Sequence, residues 1–153
     1  MPATRIAFAD SNWLFSLYYE TRDSHRIRDW AGEPSTIILS GPVLAECRCA
    51  FWRAGNRIEA LETDMRAKRF IEAGYGFESL VEEARPHWKR LSPRFNLGTL
   101  DMLHVLAARR FGCTWFLSFD TQSGCRALAA AFGLKVFPAL TTGDREILSK
   151  LKP

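Results

Sequence analysis

The sequence has few cysteines for its 153 residues, no long hydrophobic run, and no repeated or compositionally biased segment. The four cysteines, Cys47, Cys49, Cys113 and Cys125, include no C-x-x-C pair, and a chain of this length buries a core without disulfide staples. They read as reduced thiols, mostly in the core. No apolar stretch approaches the roughly 20 residues that a membrane-spanning helix requires, and Asp10 interrupts the apolar run a signal peptide would need. No membrane role is therefore expected, and a cytoplasmic location follows by default. No linker interrupts the chain, so residues 1–153 are read as a single domain.

What is present describes an ordinary globule, 47% hydrophobic and 25% charged. Lys and Arg outnumber Asp and Glu by 21 to 17, a formal charge of +4. The resulting pI near 9.1 is compatible with a polyanionic partner without demanding one.

Apolar runs alternate with helical patterns along the chain. Ile6, Ala7, Phe8 and Ala9 show no polar face, which suits a strand covered on both sides. Helical spacing follows over residues 11–20, a short helix fits 24–31, and STIILSGPV reads as a strand turning into a helix over about 42–54, with Pro42 in its first turn. Residues 56–73 and 79–91, rich in both charge signs, read as a surface helical hairpin. NLGTLDMLHVLAARRFG reads as a helix capped at Thr99 and stopped at Gly112. CTWFLSFD is a second apolar strand, TQSGCRALAAAFG a helix and LKVFP a last short strand. Such alternation predicts an α/β fold, a central parallel β-sheet flanked by α-helices as an α/β/α sandwich.

Two of these strands end in an acid, Asp10 and Asp120. Alone, Asp10 fits the N-cap of the following helix. In an open parallel sheet, however, the carboxyl ends of the strands define the crevice where ligands bind, so two acids placed alike carry more weight than one. Glu46 and Asp101 sit on helices whose neighbouring residues are largely apolar, VLAECRCAFW and LDMLHVLAA. Acids in such company are usually paired or coordinating. A cluster of acids without a Cys or His ligand set suits a hard cation, Mg²⁺ or Mn²⁺, better than zinc.

The segments FADSNWL, VLAE, LDMLHVLAARRFGCTWFLSFD and FGLKVF resemble the motifs of PIN-domain ribonucleases, especially the toxins of VapBC-type toxin-antitoxin pairs, over about residues 5–140. The resemblance implies a PIN-like fold and a metal-dependent endoribonuclease whose pocket is built from Asp10, Glu46, Asp101 and Asp120. Asp10, Asp101 and Asp120 would be direct ligands, and Glu46 would bind directly, hold a water or orient the attacking one. Ser118 stands where the family has the hydroxyl of a T-x-D pattern, and Ser11 and Ser118 would position the ligands. Some members carry a further acid where this chain has Gln122 and Ser123, which leaves the number of metal ions open. The implied partners are an RNA substrate, a small antitoxin and a second copy of the chain.

Several other residues enter as candidates. Arg48 and Arg53 lie within two turns of Glu46, and Arg85, Lys89, Arg90 and Arg94 form the densest basic stretch, a possible wall for a single strand of RNA. His104, one turn after Asp101 on an apolar helix, reads as a core histidine and is kept out of the site. Cys47 and Cys49 face different sides of their helix and do not form a chelate. Trp13, Phe15, Tyr18 and Tyr19 exceed what one buried helix face holds, so some should be exposed as a partner surface, together with the 56–73 helix. A haloacid-dehalogenase-like phosphatase would need an acid at Asn12, and a receiver domain an acidic doublet beside Asp10. The alternatives within the family are an RNA-processing nuclease outside a toxin pair and a catalytically silent binding module.

Overall fold

The computed structural model describes residues 5–31, 35–55, 57–74, 76–94 and 97–151. Strand β1 (Arg5–Ala9) is followed by helices α1 (Ser11–Tyr18) and α2 (Ser24–Ala31), strand β2 (Ser35–Ser40) and helices α3 (Gly41–Ala54) and α4 (Ile58–Arg66). Next come strand β3 (Phe70–Ala73), helices α5 (Phe77–Leu91) and α6 (Thr99–Arg110), strand β4 (Trp115–Leu117), helix α7 (Cys125–Ala131), strand β5 (Lys135–Phe137) and helix α8 (Thr142–Leu151). The five strands form one sheet in the order β3-β2-β1-β4-β5, with every pairing parallel. The predicted α/β architecture with a helix-flanked parallel sheet is observed.

The apolar character of β1 follows from its central place, because Ala7, Phe8 and Ala9 are fully buried between β2 and β4. Phe8 stacks on Phe116 of β4 with ring centres 5.6 Å apart, so the two strands that deliver acids are locked side by side. Ser40 ends β2 and caps α3 by accepting from Val43 N at 3.3 Å, with Pro42 in the first turn as expected and Gly55 at φ 114 closing the helix.

Four expectations are corrected. Residues 56–73 are not one helix: α4 ends at Arg66, Lys68 adopts φ 57, and Phe70–Ala73 join the sheet edge as β3. Phe70 and Ala73 are buried there while Ile71 and Glu72 face out, and α5 packs on α6 with Leu80, Ala84 and Leu91 buried, so the described residues form no surface hairpin. Gly98, not Thr99, is the N-cap of α6. Helix α7 begins at Cys125, not Thr121, because residues 121–124 wrap around Asp120. Helix α8 comes in addition to the elements read from the sequence; it opens with Thr141 and Asp144 capping each other's backbone N–H, at 2.9 and 3.1 Å.

Of the aromatic residues near the first helix, Trp13 is core, whereas Phe15, Tyr18 and Tyr19 are half-buried and meet the buried Phe51 edge-on. Leu17 is exposed, at the mouth of a groove of about 310 Å³ lined also by Tyr18, Ile27, Asp64 and Phe70. All four cysteines are free, three of them buried and Cys49 exposed. Among the described residues no helix is long and apolar enough to cross a membrane.

Candidate metal centre

The end of β1 places Asp10 where the sheet meets α1. Its backbone is extended, and its Oδ1 accepts from Ser11 N at 2.8 Å, so it does cap the helix. Its Oδ2 accepts from the Ser118 hydroxyl at 2.8 Å and from Asn12 Nδ2 at 3.3 Å. Burial of this carboxylate raises its pKa against the help of His104 and these donors, and the Glu46 charge adds to the rise.

Glu46 lies in the second turn of α3 and is half-buried. His104 of α6 meets it, Nε2 3.6 Å from Glu46 Oε2 and 4.0 Å from Asp10 Oδ1. That contact holds the Glu46 carboxyl below its ordinary range despite partial burial. For the imidazole, burial pulls the pKa down, but Glu46, Asp10 and Asp101 outweigh it and the net shift is upward. The expectation that His104 stands apart from the site is therefore corrected: it is core in burial, yet its Nε2 faces the acids. Ligand atoms of Asp10, Glu46 and His104 all lie within 4.8 Å of one another, close enough to hold one ion.

Asp101 sits in the first turn of α6, with its carboxylate folded over Gly98. A Cβ at Gly98 would lie 2.6 Å from Asp101 Oδ2, so glycine makes the room. Burial, together with the charges of Asp10 and Asp120, pushes the Asp101 pKa up to about 6. Asp120 follows β4 and is fixed by the loop that displaces the start of α7: its Oδ1 accepts from Gln122 N and Ser123 N at 3.0 Å each, and its Oδ2 from the Ser123 hydroxyl at 2.8 Å. Ser123 lies beside Asp101 as well and offsets part of the rise in its pKa.

The four predicted acids are thus neighbours, but unequally. Asp10 and Glu46 share the tight group with His104, whereas Asp101 and Asp120 flank it. The Ser118 hydroxyl donates to Asp10 and accepts from Asp120 N at 3.2 Å. Ser11 lies beside Glu46 and lowers its pKa. Arg48 pairs with Glu62 at 3.0 Å and Arg85 with Glu82 at 2.7 Å. Arg90 lines a hollow between α5, α7 and α8, and Lys89 and Arg94 are exposed. None of these five basic residues lines the hollows beside the acids.

Sequence reasoning missed three residues. Asn12 joins the ends of β1 and β4, with its Oδ1 accepting from Phe119 N at 2.9 Å; its place two residues after Asp10 was the available signal. Ser123, noticed only as a missing acid, holds Asp120. The fully buried Arg126 donates to Asp144 Oδ2 at 3.0 Å and to the backbone oxygens of Ser118, Pro138 and Ala139, so it supports the strand end that carries Ser118.

The donor set fits a divalent cation. Carboxylate oxygens outnumber the single imidazole, and two of the acids resist ionisation because they are buried, with neighbouring carboxylates adding to the effect.

Two solved structures are similar in fold. VapC20 of Mycobacterium tuberculosis, described as a sarcin-ricin loop cleaving toxin, is 20% identical, with 84% of this chain and 95% of that one covered and a TM-score of 0.60. VapBC2 of Rickettsia felis, solved on a DNA fragment from its promoter, is 14% identical, with 86% and 96% covered and a TM-score of 0.57. No curated protein sequence matches the chain. A family model for the PIN domain matches residues 7–146, which takes in β1 from Ala7 onward, the other four strands and all four acids. With its parallel sheet and its acids gathered at the strand ends, the chain belongs to the PIN-domain family.

Proposed function

We propose that the protein is a metal-dependent endoribonuclease and the toxin component of a VapBC-type pair, working in the cytoplasm with Mg²⁺ or Mn²⁺. The observation that carries this reading is the convergence of four acids from four separate chain segments at one end of the sheet, where Asp10 and Asp101 are held back from ionising. A buried group of carboxylates that resists ionising on its own is suited to a cation. The VapC and VapBC names of the similar structures favour RNA as substrate and an antitoxin as partner.

Asp10, Asp101 and Asp120 would hold the ion, with Glu46 directly or through water. A bound divalent cation supplies the charge that acidifies an attacking water and offsets charge growing on the phosphodiester. The chain's own residues set the geometry. Ser118 and Asn12 fix Asp10, Ser123 fixes Asp120, and Gly98 leaves space for Asp101. Glu46, kept ionised by His104, is a weak proton acceptor, so its part is to orient water by accepting a hydrogen bond. The groove lined by Leu17, Tyr18, Ile27 and Phe70 offers an apolar seat for an antitoxin helix or for a second copy of the chain.

The test is cleavage of RNA by purified protein with Mg²⁺, Mn²⁺ or EDTA, alongside Asp101→Asn. Cleavage is expected only with a metal and only in the wild type. Undiminished cleavage by Asp101→Asn in EDTA would overturn the assignment.

A further inference from the structure

Two hollows flank the acids and share Asn12, Arg22, Asp23 and Phe119. One, of about 320 Å³, lies between α1 and α3, with Phe15, Ala50 and Phe119 among its walls and Glu46 at its edge. The other, of about 280 Å³, extends along Asp120, Thr121 and Gln122. Together they make one furrow from Glu46 to Asp120, passing directly over the Asn12 clamp. The wall beside Glu46 is aromatic and aliphatic, a surface that favours flat rings with polar edges over ions or small polar solutes.

Arg22 stands at the rim of both hollows. Its side chain is 85% exposed and meets Asp23 at 3.7 Å, and Asp23 is balanced a second time by Arg26 at 3.6 Å. The turn bearing Arg22 is well tied: the Ser24 hydroxyl accepts from Thr21 N at 2.9 Å and donates to Ser16 O at 3.2 Å, and the Thr21 and Ser16 hydroxyls pair at 2.9 Å. A cation is thus carried on a fixed stretch of backbone beside an apolar-walled hollow and the cluster of acids.

We propose that this furrow seats a single RNA strand, with Arg22 gripping a phosphate next to the one that is cut and the Phe15–Ala50–Phe119 hollow taking the adjoining nucleobase. The proposal rests on the nuclease reading and deepens it, since it names the residues that would select a single strand. Arg22 carries no signal of this in the sequence, because it is remote along the chain from Glu46, Asp101 and Asp120.

The experiment uses the full chain and an unstructured, fluorescein-labelled RNA oligonucleotide of mixed sequence. Binding is followed by anisotropy in EDTA, and cleavage by steady-state kinetics with Mn²⁺. Arg22→Ala should weaken binding and raise KM about tenfold with kcat nearly unchanged, and should lower the salt slope of binding by about 0.7, the loss of one single-strand phosphate contact. Arg22→Lys should restore most of the loss. Ala50→Phe, which fills the hollow, should raise KM without changing the salt slope. Arg145→Ala, on the exposed side of α8, should behave as wild type. Wild-type binding by both Arg22→Ala and Ala50→Phe, on a protein that itself cleaves, would overturn the furrow alone. A wild type that neither binds nor cleaves the RNA would overturn the nuclease reading and the furrow with it.

Discussion

The Ser118 hydroxyl donates to Asp10 Oδ2 at 2.8 Å across 108 residues of sequence, and both partners are buried. Ser118→Ala removes this donor and leaves the carboxylate oxygen with the longer Asn12 contact. A buried acceptor deprived of its partner costs about 1–3 kcal/mol. The expected result is a loss of that size in chemical denaturation without metal, together with weaker Mn²⁺ binding by calorimetry.

Asp10→Asn separates capping from metal binding. Asn caps nearly as well as Asp, and the substitution removes one of several crowded negative charges. The metal-free variant should be as stable as the wild type or more so, while cleavage is lost. Mg²⁺ should raise the Tm of the wild type and leave the variant's nearly unchanged, because only a ligand that binds the native state stabilises it. Equal Mg²⁺ shifts would return Asp10 to an ordinary cap.

The stability of the metal-free protein should fall as pH rises. Asp101, raised from 3.8 to about 6, binds its proton more tightly when folded, so its contribution is lost as pH climbs from about 4 through 6, and Asp10, also raised, acts in the same sense above 3.8. His104, likewise raised, gives stability that is complete below 6.5 and is lost as pH passes its folded value. Glu46, lowered, acts in the opposite sense only below 4.5. Thermal unfolding in EDTA should therefore give a higher Tm at pH 5.5 than at pH 8, and saturating Mg²⁺ should flatten the trend. A Tm that rises over this interval in EDTA would contradict the described environment of all three groups.

Gly98→Ala isolates the placement of Asp101. The Gly98 backbone, at φ −65 and ψ 137, suits any residue, so the only conflict is the new Cβ against the Asp101 carboxylate. Folding stability should change by less than about 1 kcal/mol, while Mn²⁺ affinity drops at least about tenfold, which calorimetry and denaturation measured on the same preparation will separate.

Arg126→Met breaks the buried pair with Asp144 and frees the Ser118 carbonyl. Removing one partner of such a pair costs about 3–5 kcal/mol. Arg126→Met with Asp144→Asn should recover part of that loss, as a double-mutant cycle reads directly.

The legible parts of the molecule are those whose signals are local. Asp10 and Asp120 could be placed because each ends an apolar run, and Glu46 because its neighbours are apolar. β3 was hidden because FIEA is four residues long and follows a charged, helix-favouring segment, and it becomes a strand only by pairing with β2. The turn before it rests on Lys68 at positive φ, where no glycine advertises it. His104 was misread because its helix spacing shows only that it is buried, not that α6 presents its Nε2 to acids from β1 and α3. The α8 cap was legible as T-x-x-D and went unread.

The strand order has a bearing on when the protein becomes active. Growing from β1, the chain adds β2 and β3 on one side and only later returns to lay β4 and β5 on the other. Asp10 and Glu46 belong to the early half, and Asp101, Ser118 and Asp120 to the late one. A chain emerging during synthesis therefore passes through a long stage in which half of its pocket exists and can do nothing, and the pocket closes only when β4 docks against β1. A cut between α5 and α6 would leave Asp10 and Glu46 on one piece and Asp101 and Asp120 on the other.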